Sequence, residues 1–276
     1  MAIGPTAEPV PVAAAPAELI RARLAELAAD RRVRILYAAE SGSRAWGFAS
    51  ADSDYDVRFI YCHEAAWYLS LVERRDVIER PLDADLLDIG GWDLRKALRL
   101  LLKSNPPLHE WLISPIVYAD NDGCGAALRD LFRRYAVPRR LMLHYLSMAR
   151  GQRDLLGPRE LVRRKRYLYV VRPLLAVALL AQGVWPPPMS IGPLLDAAHL
   201  ANPVREAIDA LVAEKRAGGE LGEGTRIPVL DRWVAEALAG ADPEAVGGTA
   251  QQDDAGVAAQ RFFLARIGLD ALIGRI

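Results

Sequence analysis

Eight residues constrain this chain more than any others. Asp54-Tyr55-Asp56-Val57-Arg58-Phe59-Ile60-Tyr61 alternate strictly, with Asp54, Asp56, Arg58 and Ile60 on one side and Tyr55, Val57, Phe59 and Tyr61 on the other. A period of two is the signature of a β-strand with one apolar and one polar face. That strand demands a partner layer for its aromatic face. It also sets two carboxylates, at i and i+2, on the same side. Like charges that close are costly unless a cation neutralises them, and hard divalent cations take carboxylate oxygens.

The segments around this strand predict an α+β protein. Residues 17–31 read as a helix with Leu19, Leu24 and Leu27 on one side, and Val33 to Ala39 as a strand that ends at Gly42-Ser43. Val77–Ile78 and Ala84–Ile89 are two further short strands. After Gly90-Gly91 the pattern turns helical, with Leu94, Leu98, Leu101 and Leu102 in a stripe that stops before Asn105-Pro106-Pro107. Beyond residue 108 helices are expected at 109–113, 125–135, 138–156, 160–182, 203–216, 229–238 and 255–276, with a loop over 239–254. The shift from mixed to helical pattern divides the chain into a flexible tail (1–16), a catalytic domain with a mixed sheet (17–118) and an all-helical domain (119–276) for substrate and nucleotide.

Composition excludes several classes. With 52% hydrophobic and 25% charged residues the chain is not disordered. Its longest apolar run, Leu174 to Ala181, is far short of a membrane span and leads into Pro186-Pro187-Pro188, so no membrane partner is expected. Two cysteines, Cys62 and Cys124, make no disulfide framework, and free thiols fit a cytoplasmic location. Formal net charge is zero but unevenly spread. Residues 52–93 hold eleven acids against four bases, a net −7; residues 129–172 hold thirteen bases against three acids, a net +10. An acidic front and a basic middle suit a metal cation and a polyphosphate.

The chemistry converges on the order strand, Gly42-Ser43, ten residues, Asp54-x-Asp56, strand, isolated acid. A glycine at a strand end lets the backbone approach a phosphate, serine adds a hydroxyl donor, and a helix starting there favours an anion. Asp88, flanked by Leu87 and Ile89, is the best candidate for a third carboxylate from a neighbouring strand. Arg58 shares the acids' face, as a charge partner or a triphosphate contact, and Arg44 follows the Gly-Ser. Lys165, Tyr169 and Arg172 fall at i, i+4 and i+7, a polar stripe suited to base, ribose or phosphate. His144 reads as a structural histidine, and Trp46 as core or as a base-stacking ring.

Gly42-Ser43, Asp54-x-Asp56 and Asp88 resemble the signature of the DNA polymerase β-like nucleotidyltransferase superfamily. Longer stretches look like the YcgL/RlaP group of bacterial and phage nucleotidyltransferases: ESGSRAWGF (40–48), DSDYDVRFIY (52–61), WDLRKAL (92–98), EWLISP (110–115), HYLSMA (144–149) and KRYLYVVRPLL (165–175). The resemblance spans about residues 33–235. It implies a polymerase β-like domain followed by helices. It implies two Mg²⁺ ions, with Mn²⁺ as an alternative, held by Asp54, Asp56 and Asp88, with an NTP such as ATP as substrate. Gly42, Ser43 and Arg44 are expected at its phosphates, and Arg58, Lys165, Tyr169 and Arg172 around the nucleotide. The implied reaction moves a nucleoside monophosphate to an acceptor hydroxyl with release of pyrophosphate, and the family's association with RNA ligases points to an RNA or tRNA end. The alternatives are a protein-modifying, antitoxin-type enzyme and a non-catalytic nucleotide-binding module.

Overall fold

The computed structural model describes residues 12–218, 221–247 and 254–275; most of the expected tail, 1–11, lies outside the described residues. The described chain forms two compact units. One comprises 12–42, 54–137 and 254–275, the other 43–53, 138–218 and 221–247. The division near residue 118 expected from composition runs instead at Val137/Pro138, and the helical unit also takes in 43–53.

The first unit is built on a five-stranded mixed sheet: β1 (Arg34–Ser41), β2 (Tyr55–Cys62), β3 (Val77–Arg80), β4 (Leu87–Asp93) and β5 (Val117–Asp120), in the order β3-β4-β2-β1-β5. β1 is antiparallel to β2 and β5, β3 is antiparallel to β4, and β2 is parallel to β4. The helix Ala14–Arg31 buries Ala17, Ile20, Leu24 and Leu27 in a core shared with Ala38, Val57, Phe59, Tyr61, Leu87 and Ile89. Val57 and Phe59 are the apolar side of the alternating strand, and each such side chain contributes about 1.5–3 kcal/mol on burial. The helix begins at Ala14, so the last residues of the expected tail are ordered, and it ends where Arg32 turns left-handed at φ 53°.

β4 departs from the sequence reading. It does not stop at Gly90-Gly91 but runs to Asp93, pairing Gly91 with Phe59 of β2. A Cβ on Gly91 would lie 2.3 Å from the Phe59 ring, so the glycine is the seat of that ring rather than a strand break. Asp93 then caps the helix Leu94–Leu102, accepting the Arg95 N–H at 2.8 Å and the Tyr68 O–H at 2.7 Å. That helix stops before Asn105, as expected, and Pro106 opens the next one, Pro106–Leu112, earlier than the expected 109–113, with Asn105 accepting from the Leu108 N–H. The helices Cys124–Tyr135 and Ala255–Arg266 complete this unit, the latter shorter than the expected 255–276 and followed by the 3₁₀ turn Asp270–Arg275.

The second unit is helical: Pro138–Leu156, Lys165–Ala181, Ile191–Ala197, Asn202–Gly218 and Pro228–Gly240. The expected helix 160–182 is shorter, because Leu161–Arg163 (β6) pairs antiparallel with Glu223–Thr225 (β7). The helix Lys165–Ala181 buries twelve residues, which makes it the central element of the unit. Among the described residues no helix is long and apolar enough to cross a membrane.

Asp93 is fully buried, and burial pushes its carboxyl above the ordinary aspartate range, against the pull of Tyr68 and the Arg95 N–H. The unfolded chain therefore releases this proton first as pH rises. Stability attached to Asp93 is present at low pH and is lost between the unfolded and the raised folded pKa. Urea denaturation over a pH series should show wild type losing stability relative to Asp93→Asn across that acid window, with parallel curves above it.

Candidate functional site

The parallel register of β2 and β4 places Asp56 directly opposite Asp88. Two carboxylates on adjacent strands repel, and the compensating charge comes from the same strand. One Arg58 nitrogen donates to Asp56 at 3.0 Å and to Asp88 at 2.6 Å, while the other donates to the Asp88 carbonyl at 2.8 Å. The side chains are 21% (Arg58), 22% (Asp56) and 36% (Asp88) exposed, so the cluster is reachable from solvent yet partly desolvated. Both Asp56 and Asp88 address a single cationic nitrogen, and the guanidinium occupies the kind of place a metal ion takes between two acids. The donor set therefore fits a hard divalent cation. Among the described residues no three His, Cys, Asp or Glu side chains gather into a metal cage. The acids brought together are Asp56 and Asp88; Asp54 lies just before the first paired residue of β2, half-buried.

Gly42 serves this cluster in a way the sequence did not suggest. It follows β1 at φ 62°, and a Cβ there would fall 1.8 Å from Asp56 Oδ2. Apart from the phosphate role expected of it, Gly42 leaves room for a carboxylate. Glu40 is the residue sequence reasoning passed over, although it stands two positions before Gly42 in the quoted motif. It is fully buried, accepts the Asp56 N–H at 2.8 Å and receives the Tyr118 O–H. A buried acid thus fixes the backbone of the strand that carries Asp56. Its signal was an acid inside an apolar strand, the same signal that singled out Asp88.

The remaining candidates lie in the helical unit. Ser43 and Arg44 are both buried, and Arg44 donates to the Ser53 carbonyl at 2.5 Å, clamping the 43–53 loop on itself. That loop is held by Ser190 Oγ to the Ala45 carbonyl (2.9 Å), Lys215 Nζ to Ser50 Oγ (2.8 Å) and Arg216 Nε to the Gly47 carbonyl (3.0 Å). The expected stripe on the helix Lys165–Ala181 divides. Arg172 is buried, its guanidinium 4.1 Å from the Trp46 ring centroid, while Tyr169 meets the same ring edge-on at 5.6 Å. Trp46 is thereby engaged in packing. Lys165 and Tyr169 instead line a cavity of about 540 Å³ that Arg172 does not reach. His144 sits on the exposed side of the helix Pro138–Leu156.

The mixed sheet and its helices go with a match to a family model that places the chain among the polymerase β-like nucleotidyltransferases as a class. The chain is a member of the family described as "RlaP: RNA repair pathway DNA polymerase beta family", whose model matches residues 17–265. It is 46% identical over 203 residues to "Uncharacterized protein YcgL" of Bacillus subtilis (strain 168), a match covering 73% of this chain and 77% of that one. Among solved structures, a nucleotidyltransferase-like protein from Exiguobacterium sibiricum 255-15 is similar over 91% of this chain and 79% of that one, with 14% identity and a TM-score of 0.32, too distant to transfer anything from.

Two substitutions test the cluster. Gly42→Ala brings a methyl against Asp56 at a backbone angle unfavourable to L side chains, and should cost about 1–3 kcal/mol in urea denaturation. Glu40→Ala leaves the Asp56 N–H and the Tyr118 O–H without their buried acceptor and should cost about 2–3 kcal/mol by the same measurement.

Proposed function

We propose that the protein is a Mg²⁺-dependent nucleotidyltransferase that moves a nucleoside monophosphate from an NTP to the terminal hydroxyl of an RNA, releasing pyrophosphate. The observation that carries this reading is the in-register pair Asp56 and Asp88 bridged by one cation, Arg58. The family description, with its RNA repair pathway, supports an RNA end as the acceptor. Asp54, Asp56 and Asp88 would hold the metal, and when bound it supplies charge neutralisation for the triphosphate and a more acidic acceptor hydroxyl.

The chain's own residues supply the rest. Arg58 keeps the two facing acids from repelling before substrate arrives, and then serves as a positive charge beside a triphosphate. Glu40 and Gly42 fix where the Asp56 carboxylate stands. The acceptor oxygen forms a bond to the α-phosphorus, the bond from that phosphorus to the α–β bridging oxygen breaks, and pyrophosphate leaves with the electron pair. The hydroxyl proton departs through a carboxylate oxygen of Asp88, the more exposed of the two facing acids.

The test is incubation with each of the four α-³²P-labelled NTPs, Mg²⁺ and either RNA or lysate protein, with pyrophosphate measured in parallel. Label should move to RNA, and Asp56→Asn should lower transfer at least about a hundredfold. Label moving to protein instead would redirect the acceptor, and no transfer to either would overturn the reading. In the metal-free protein, Arg58→Met should lose about 1–2 kcal/mol, because it leaves two facing carboxylates uncompensated. Added Mg²⁺ or Mn²⁺ should restore more stability to this variant than to wild type in thermal denaturation.

A further inference from the structure

The cavity of about 540 Å³ in the helical unit lies between the β6–β7 ribbon and the start of the helix Lys165–Ala181. Its volume is in the range of sites for a ligand of nucleotide size. Arg163, Lys165 and Arg166 line it against a single acid, Glu223. Neighbouring Arg164 is engaged with Glu214 at 2.8 Å. By contrast, among the described residues no ion pair engages Arg163 or Arg166, although Arg163 stands opposite Glu223 in register. Tyr169 and Gln152 also line the cavity. An aromatic face, an amide and two arginines without acid partners together match a base, a ribose and a phosphate.

The surrounding charge says what kind of nucleotide. Residues 138–172 carry ten bases against two acids, a net +8. Arg150, Arg153, Arg159 and Arg163 are exposed along that stretch, and among the described residues only Arg153 of these is in an ion pair, with its neighbour Asp154. A free mononucleotide needs one or two such charges. A stretch this basic around a one-nucleotide cavity fits a strand whose last residue enters the cavity and whose preceding phosphates are neutralised by exposed arginines of the same stretch.

We propose that this cavity seats the terminal nucleotide of the single-stranded RNA acceptor, with Arg163 and Arg166 on its phosphate, Tyr169 under its base and Glu223 limiting the affinity. This rests on the nucleotidyltransferase reading with an RNA acceptor, and assigns that acceptor's place.

The experiment is binding of a short fluorescein-labelled single-stranded RNA, followed by anisotropy over a salt series, with Mg²⁺–ATP binding measured separately by calorimetry. The double variant Arg163→Ala/Arg166→Ala should bind RNA about tenfold or more weakly, and its log Kd against log salt slope should fall by about 1 to 1.5. Its ATP binding should be unchanged. Glu223→Gln should bind RNA more tightly than wild type, which keeps the proposal testable if the double variant folds poorly. Loss of ATP binding with RNA binding intact would give the cavity to the NTP and overturn the proposal, as would unchanged RNA binding in all variants. Wild-type protein that binds no RNA yet transfers label to protein would sink the acceptor site while leaving nucleotidyl transfer standing. RNA binding that responds to these variants, without any transfer, would retain the site and discard the enzyme reading.

Discussion

The parallel pairing of β2 with β4 is the constraint on which the site depends. It sets Asp56 and Asp88 at the same level of adjacent strands. An arrangement of two like charges persists only with compensation, and Arg58, two residues along the same strand, supplies it to both at once. Everything nearby serves that geometry. Gly42 leaves space for the Asp56 carboxylate, and Glu40 anchors the Asp56 amide from the neighbouring strand. Partial exposure matters too: buried completely, such a pair would favour protonation, and in full solvent it would hold a cation weakly.

The 43–53 loop shows how one segment can be placed by residues far away in sequence. It joins two strands of the sheet, yet its contacts are with Ser190, Lys215, Arg216 and Arg172 of the helical unit. Buried Lys215 and Arg172 both turn toward this loop, Lys215 to the Ser50 hydroxyl and Arg172 to the Trp46 ring. That is why the polar stripe expected on the helix Lys165–Ala181 divides into a cavity-lining part, Lys165 and Tyr169, and a packing part, Arg172. A helical stripe tells which side chains share a face. It does not tell which end of that face is covered.

Much of the fold was legible because its signals are local. The alternation of residues 54–61, the leucine stripe 94–102 and the helix 138–156 each follow from a period that short-range physics imposes. The readings that failed depended on a distant partner. Gly90-Gly91 reads as a break until the Phe59 ring is seen lying on Gly91, and Leu161–Arg163 reads as helix until Glu223–Thr225 pairs with it. The family resemblance of the quoted motifs agrees with the match over residues 17–265.

What the sequence determined by itself was the set of chemically costly residues, the acids Asp54, Asp56 and Asp88 and the arginine beside them, because a charge inside an apolar, strand-periodic stretch needs a compensating reason. What the tertiary structure alone decided was their company: that Asp56 and Asp88 share one guanidinium, that Glu40 accepts from the Asp56 amide, and that buried Arg172 lies over the Trp46 ring. Period and charge are properties of neighbours along the chain. Strand register and burial arise only when segments far apart in sequence compete for the same space.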